Sequence, residues 1–388
     1  MAPNSRIGNF QKSLRENGVG AAILLSPRDI YYFAATSQQA TLVIPAAGEP
    51  TLLVTRDYWR AKQETHLADV RPASTKSTVR EIVAEKGYES NTVGLIEDVL
   101  SASTYRRLVA LLPHATIVDV TRLMRELRMV KDDGEVEKIR LAAQMADHAH
   151  EFAMSVLKPG MTELEASFAI EMEMARNGHD GYCLARNLAS SVRICGVVSG
   201  ESLYAGSPLP TTMPGGGSSP LVSYGPSRRK LAQGDIVVVD LTGAHDGYIA
   251  DEARTYTLGK ASPAQREVVS AVKHVIDETL PLLRPGTRAS DIFHAAQKAA
   301  IETGYGEYFL GGKEKNVRFV GHGVGLELDE LPMLAPGDDT ILTQGMALAY
   351  EPIFAAPGIG AGTLENTLLI TENGHETLTR RPVELMEL

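Results

Sequence analysis

One run of signals occurs twice in this chain of 388 residues, and it restricts the fold more than any single motif. A helical pattern from Glu135 to Leu157 stops at Lys158-Pro159-Gly160. The capping-box pair Thr162 and Glu165 then opens a second helix that runs to about Asn177. Pro263 to Leu283 is helical again, Arg284-Pro285-Gly286 stops it, and Ala289 to Thr303 forms the next helix. Pro159 and Pro285 lie 126 residues apart, and strand-forming segments follow each helix pair. Helix, basic-Pro-Gly stop, helix and strands, repeated once, predict a domain built from two similar halves.

Each half predicts a β-hairpin bearing two carboxylates. In the first, within Gly234 to Gly259, Ile236 to Val239 is a β-branched run, His245-Asp246-Gly247 is a turn signal, and Tyr248 to Thr257 resumes a strand pattern. A turn centred between His245 and Asp246 sets Asp240 directly opposite Asp251. Opposed side chains on adjacent strands have Cβ atoms about 4.5–5.5 Å apart, where like charges repel. A metal cation or a shared proton would relieve that repulsion; a solvent-exposed hairpin with two unrelated aspartates is the alternative. The second half carries a matching pair. Met346 to Phe354 and Thr363 to Thr371 read as strands around Ala356-Pro357-Gly358-Ile359-Gly360, and a turn centred on Gly358 sets Glu351 opposite Glu365. Two acidic pairs at matching places predict carboxylates that converge at a pseudo-two-fold axis.

Between the pairs lies His322, flanked by Gly321 and Gly323, which let backbone approach a ligand closely. A lone histidine is more often structural, but the glycines and the acidic pairs favour a ligand. Four carboxylates and one imidazole suit Mn²⁺, Co²⁺, Fe²⁺ or Zn²⁺ better than a thiolate-seeking metal. With one bridging carboxylate per hairpin, two ions about 3.5 Å apart are expected, a pair that polarises a carbonyl and acidifies water. The implied reaction is hydrolysis of an amide-like bond.

The first 128 residues read differently. Residues 5–18 form an amphipathic helix with Ile7, Phe10 and Leu14 on one face. Short strands at Ala21 to Leu25, Ala40 to Pro45 and Thr51 to Thr55, and near 92–95 and 116–119, alternate with helices at 57–66 and 76–87. This predicts an α/β domain over residues 1–128, without a catalytic constellation, ahead of a catalytic domain over residues 129–388. The polar segment Met129-Val130-Lys131-Asp132-Asp133 marks the passage between them. A net charge of −10 with no dense Lys/Arg tract argues against a nucleic-acid partner. No run of about 18 apolar residues and no signal-peptide pattern occurs, and the two cysteines, Cys183 and Cys195, lack CxxC spacing. A cytoplasmic, reducing location with no membrane partner is expected.

At the acidic pairs the chain resembles the family of methionine aminopeptidases, prolidases, aminopeptidase P and creatinase. The resemblance extends over essentially the whole chain. It implies a pita-bread fold for the C-terminal catalytic domain, α+β with internal pseudo-two-fold duplication, behind a creatinase/prolidase-like N-terminal α/β domain. The family's metal ligands run Asp, Asp, His, Glu, Glu, and here they fall on Asp240 in VVVDLTG, Asp251 in GYIADEARTY, His322 in VGHGVGLEL, Glu351 in AYEP and Glu365 in TLENTLL. The resemblance implies two divalent ions, Mn²⁺ ahead of Co²⁺, Zn²⁺ or Fe²⁺. It also implies that Glu351 is the general base, that a Xaa-Pro dipeptide or short peptide is cleaved, and that the chain is a homodimer.

The departures bear on the substrate. Prolidases and aminopeptidase P usually carry a His about seven residues after the ligand His and another some seventeen before the first Asp; here Asp329 and Ser223 stand there. Thr363 takes the place of the Arg that commonly precedes the last Glu ligand, and Asn366 that of the Asp that follows it. A metal-dependent hydrolase or lyase of a small non-peptide metabolite, creatinase-like or ectoine-hydrolase-like, is therefore an alternative, as is a non-catalytic binding protein on the same fold. Asp329 could accept a hydrogen bond from a substrate amine or act as an acid/base, or could cap loop N–H groups. Tyr224 and Arg318 could place donors near the site or serve structurally, and Arg254 is expected to pair with a neighbouring carboxylate. Cys183 and Cys195 read as buried apolar residues. Gly321 to Gly325 lacks the context of a dinucleotide fingerprint, Pro214-Gly215-Gly216-Gly217-Ser218-Ser219 is a flexible loop and no P-loop, and His150-Glu151 lacks the second His of a zincin motif.

Overall fold

A computed structural model describes residues 3–73, 77–88, 91–186, 192–206, 211–212, 214–311, 317–358 and 360–388. The chain divides into two compact units, Met1–Arg128 and Met129–Leu388.

The first unit is built on one mixed sheet of β1 (Ala21–Leu24), β2 (Ala40–Pro45), β3 (Thr51–Val54), β4 (Asp69–Pro72), β5 (Thr92–Leu95) and β6 (Thr116–Asp119). Its order is β4-β3-β2-β1-β5-β6, with β1–β2 and β2–β3 antiparallel and the other pairs parallel. Among the described residues it is accompanied by α1 (Pro3–Glu16), α2 (Pro27–Ala34), α3 (Tyr58–Glu64), α4 (Ser77–Glu85), α5 (Ala102–Leu111) and α6 (Thr121–Met129). Ile7, Phe10 and Leu14 of α1 are buried, as their spacing predicts. A helix begins at Pro27, shortly after the first strand. Ser26 sits in extended backbone at the N-cap of α2, and Pro27 takes the first helical turn, where its missing N–H is not needed.

The second unit shows its duplication in its backbone hydrogen bonds. Its first half contains α7 (Asp133–Val156), α8 (Glu163–Arg176), β7 (Cys195–Ser199), β8 (Ile236–His245) and β9 (Tyr248–Thr257). The second half holds α9 (Pro263–Thr279), α10 (Ala289–Glu302), β10 (Gly321–Gly323), β11 (Glu330–Met333), β12 (Ala347–Tyr350), β13 (Ile353–Ala356), β14 (Gly360–Thr363), β15 (Asn366–Ile370) and β16 (His375–Thr377), followed by β17 (Met386–Glu387). Gly160 and Gly286, the two helix stops, have left-handed φ of 97° and 89°. Gly160 N–H donates to Leu231 O at 2.8 Å, and Gly286 N–H to Leu342 O at 2.9 Å. Glu163 N–H donates to Arg229 O, and Ala289 N–H, at the matching place, to Thr340 O. The Thr162–Glu165 capping box forms as read.

Among the described residues the strands form sheets ordered β17-β9-β8-β7, β11-β10-β12-β15-β16 and β13-β14. The alanine face of α7 (Ala146, Ala149, Ala153) packs with Val237, Val239 and Tyr256 of the first sheet. Gly243 lies so close to α7 that a Cβ there would stand 2.0 Å from Ala142 O. Residues 129–133 open the second unit, and part of the segment is buried. Lys131 Nζ is 2.9 Å from Glu330, with both side chains buried, and Asp132 caps α7 in a capping box with Glu135.

The register of the first hairpin corrects one expectation. The turn is Asp246-Gly247, with φ of 49° and 80°, and His245 pairs with Tyr248. Asp-Gly takes the left-handed φ at both central positions that a two-residue hairpin turn requires, so the ladder closes one residue later than expected. Asp240 therefore faces Ala253, and Asp251 faces Thr242. The shift is by two along the partner strand, so both aspartates stay on one face. The second hairpin keeps its expected register: Ala347 to Tyr350 pair with Leu369 to Asn366, and Ile353 to Ala356 with Thr363 to Gly360. Glu351 and Glu365 fall opposite each other in the gap between these ladders; Ile359, inside the expected turn, lies outside the described residues.

Candidate metal centre

β8 and β9 deliver Asp240 and Asp251, the short strand β10 delivers His322, and the break between β12–β15 and β13–β14 delivers Glu351 and Glu365. Asp251, His322 and Glu365 each offer a ligand atom within 4.8 Å of the others. His322 Nε2 lies 3.0 Å from Glu351 Oε1 and 4.0 Å from Asp251 Oδ2. All five residues are at most 9% exposed.

The strands are tied together at the carboxylates. Thr367 Oγ1 accepts from Asp251 N–H and donates to Asp251 O, both at 2.8 Å. Glu365 N–H donates to Ala253 O at 2.9 Å. Arg254, fully buried, donates to the backbone carbonyls of Glu365 and Arg381 and to Asn366 Oδ1, and its guanidinium lies 2.8 Å from Glu252. The expected carboxylate partner of Arg254 is thus Glu252, on the opposite face of β9 from Asp251.

Electrostatically the cluster concentrates buried carboxylates around one imidazole. Burial, then Asp251 and Glu351, push the Asp240 carboxyl well above the usual range. Burial raises Asp251 to about 7 against the pull of His322. Glu365 is raised well above its usual value by burial and by Asp251, Glu351 and Asp240. Burial would lower His322, but Glu351 and Asp251 outweigh it and raise the imidazole to about 9.

A divalent ion fits this set. Asp251 Oδ1 and Glu365 Oε1 are buried without any hydrogen-bond partner, which is costly for a carboxylate. A cation supplies what these oxygens lack, and oxygen-rich donors with one imidazole are the donors such ions prefer. Nδ1 of His322 faces Gly323 O at 3.1 Å; a proton held there leaves Nε2 free to ligate.

The remaining predicted residues are placed less centrally. Asp329 is half-buried, and its Oδ1 accepts the backbone N–H of Arg186 at 2.8 Å, the loop-capping role. Tyr224 is half-buried, with Asp240 and Cys183 near enough to raise its hydroxyl after burial. Ser223 is half-buried and Arg318 is exposed. Thr363 spends its hydroxyl on Pro352 O. Burial pushes the Cys183 thiol up to about 12 and Cys195 well above its usual value, so neither supplies a thiolate at neutral pH. One close contact had no sequence signal: the Thr212 hydroxyl donates to Glu351 Oε2 across 139 positions.

Residues 137–372 match the family described as Metallopeptidase family M24, and residues 6–130 match the Creatinase/Prolidase N-terminal domain. A Xaa-Pro dipeptidase of Pyrococcus furiosus is 28% identical over 383 residues, spanning 98% of this chain and 99% of that protein. Among solved structures, a Xaa-Pro dipeptidase from Bacillus anthracis superposes with a TM-score of 0.85 at 27% identity, covering 100% of both chains. The prolidase from Pyrococcus furiosus gives 0.79 at 28% identity, covering 96% of this chain and 99% of that one. No helix among the described residues is long and apolar enough to cross a membrane.

Proposed function

The chain belongs to metallopeptidase family M24, and from that premise we propose that it hydrolyses the amide bond of a dipeptide or short peptide, with a Xaa-Pro bond as the first candidate. The observation that carries the reading is the buried set Asp240, Asp251, His322, Glu351 and Glu365, whose unsatisfied oxygens call for cations. Relatives spanning the whole chain are named Xaa-Pro dipeptidase.

In this reading the five residues hold two divalent ions, Mn²⁺ first and Co²⁺, Zn²⁺ or Fe²⁺ as the other options. When bound, the ions supply Lewis-acid polarisation of the scissile carbonyl and acidify the attacking water. Asp240 and Asp251 hold from the first hairpin, Glu351 and Glu365 from the second, and His322 Nε2 from the strand between them. Glu351 takes the water's proton at its carboxylate and returns it to the departing amine, a proton transfer worth about 10²–10⁴-fold in such enzymes. Burial of the cluster keeps bulk water away and strengthens each of these interactions. A homodimer in a reducing, cytoplasmic setting is part of the same proposal.

Asp329 and Thr363, at the places where the resembling peptidases carry His and Arg, favour a second reading in which the cleaved amide belongs to a small non-peptide metabolite. One experiment separates the two. Protein loaded with Mn²⁺ or Co²⁺ is given a panel of Xaa-Pro and other dipeptides beside small amides. Turnover of a dipeptide supports the first reading; turnover confined to the non-peptide amides replaces it with the second.

A further inference from the structure

We propose that Thr212 is a positioning residue for Glu351, held against it by the glycine-closed loop Pro214 to Gly225. The proposal rests on the reading of Glu351 as metal ligand and proton acceptor, and it gives a role to the Pro-Gly-Gly-Gly stretch, which matches no nucleotide motif.

Glu351 is 3% exposed, and its two oxygens meet different partners. Oε1 stands 3.0 Å from His322 Nε2, on the side of the other ligand groups. Oε2 accepts the Thr212 hydroxyl. A carboxylate that must both ligate and accept a proton works best when its plane is fixed, because rotation about its last bond would scatter both lone-pair directions. A hydroxyl on Oε2 fixes that plane and leaves Oε1 directed at the cluster. Outer hydrogen-bond partners of this kind raise affinity and activity about 10–100-fold in metal sites.

Thr212 lies on no strand, so something else must hold it. The loop that follows is stitched shut: Gly217 N–H donates to Gly225 O at 3.0 Å, and Gly225 N–H to Pro214 O at 3.2 Å. Gly215 and Gly217 have φ of 111° and 69°. A Cβ at Gly215 would lie 2.3 Å from Gly225 O, and one at Gly217 only 1.8 Å from Val222 O. Only glycine permits this closure, and the closed loop begins at Pro214, two positions after Thr212. The composition that reads as flexibility serves instead a tight, backbone-bonded turn.

Thr212→Val removes the hydroxyl while keeping the shape, and Thr212→Ser restores the hydroxyl alone. Two quantities are measured on the full chain: Mn²⁺ affinity of metal-stripped protein by titration calorimetry, and kcat and KM on the best dipeptide. The expected result for Thr212→Val is a loss of about 10-fold or more in kcat and in Mn²⁺ affinity, with KM changed less than about twofold and Thr212→Ser within about threefold of wild type. Wild-type affinity and kcat in Thr212→Val would overturn the proposal, as would a Thr212→Ser variant as impaired as Thr212→Val. If wild type cleaves no dipeptide, the peptidase reading fails, while the calorimetric comparison still decides the role of Thr212.

Discussion

Asp240 and Asp251 stand on one face of the β8–β9 ladder but two positions out of direct register, with Ala253 opposite the first and Thr242 opposite the second. Direct opposition would press the carboxylates together at about 5 Å, whereas a diagonal places the residues about 7–8 Å apart, leaving room for a cation between them. The charge is still concentrated, since both groups are buried and both are raised.

Relieving that charge trades function for stability. Asp251→Asn is expected to raise the melting temperature of metal-stripped protein by about 2–4 °C for each kcal/mol of repulsion removed. The same variant loses most of the melting-temperature gain given by Mn²⁺, and its activity falls by more than the roughly 100-fold typical of losing an outer partner. Thermal melts with and without Mn²⁺ check all of this; a lower melting temperature in the stripped variant would count against a repulsive cluster.

The pH dependence has a definite sign. Asp251 is raised to about 7, so between its ordinary value and pH 7 the folded protein binds more protons than the unfolded chain, and stability falls as pH rises through that window. His322 is raised to about 9, and the stability it contributes below its ordinary value is likewise lost as pH climbs to 9. Metal-stripped protein should therefore lose melting temperature from pH 5 to 9, and saturating Mn²⁺ should flatten the decline. Parallel curves with and without metal would place the titration elsewhere.

The Lys131–Glu330 pair anchors the loop that carries Asp329. Glu330 Oε1 accepts Leu326 N–H at 2.9 Å while Oε2 meets Lys131 at 2.9 Å. Lys131→Met removes the buried cation beside Glu330 and should cost about 3–5 kcal/mol, whereas the double variant Lys131→Met/Glu330→Gln should recover part of that loss. Urea unfolding of the four proteins in the cycle gives the coupling; strictly additive effects would show that the pair does not act as a unit.

Gly243→Ala tests how α7 seats on the hairpin. Its Cβ would meet Ala142 O at 2.0 Å, so helix and strand must separate, at about 1–3 kcal/mol. Because β8 also carries Asp240, Mn²⁺ affinity should fall together with the denaturation midpoint. Loss of stability with unchanged affinity would mean that the strand recovers its place at the site.

Much of this site was legible because it is carried by local patterns. The Thr162–Glu165 capping box, the two Pro-Gly stops and the glycines around His322 are short-range signals, and the duplication multiplied their weight. The Glu351–Glu365 register follows from the glycine turn between the strands. The Asp240–Asp251 register was misjudged by two because Asp246-Gly247, not His245-Asp246, supplies the left-handed pair. The burial of Lys131 was not legible, because a buried cation is identified only by its partner, 199 positions away. Thr212 was invisible for the same reason: no periodicity ties a loop threonine to a glutamate 139 residues later. The helix at Pro27–Ala34 was hidden by a Ser-Pro-Arg-Asp stretch that reads equally as a turn.

The most direct test of a two-ion hydrolytic centre is the rate of dipeptide hydrolysis as Mn²⁺ is added stepwise to metal-stripped protein. The expected curve rises from no activity and saturates at two equivalents for wild type, with His322→Ala staying near zero throughout. Absence of hydrolysis at every metal load across the dipeptide panel, or full activity in the stripped protein, would contradict the assignment of these five residues to a metal-dependent peptidase site.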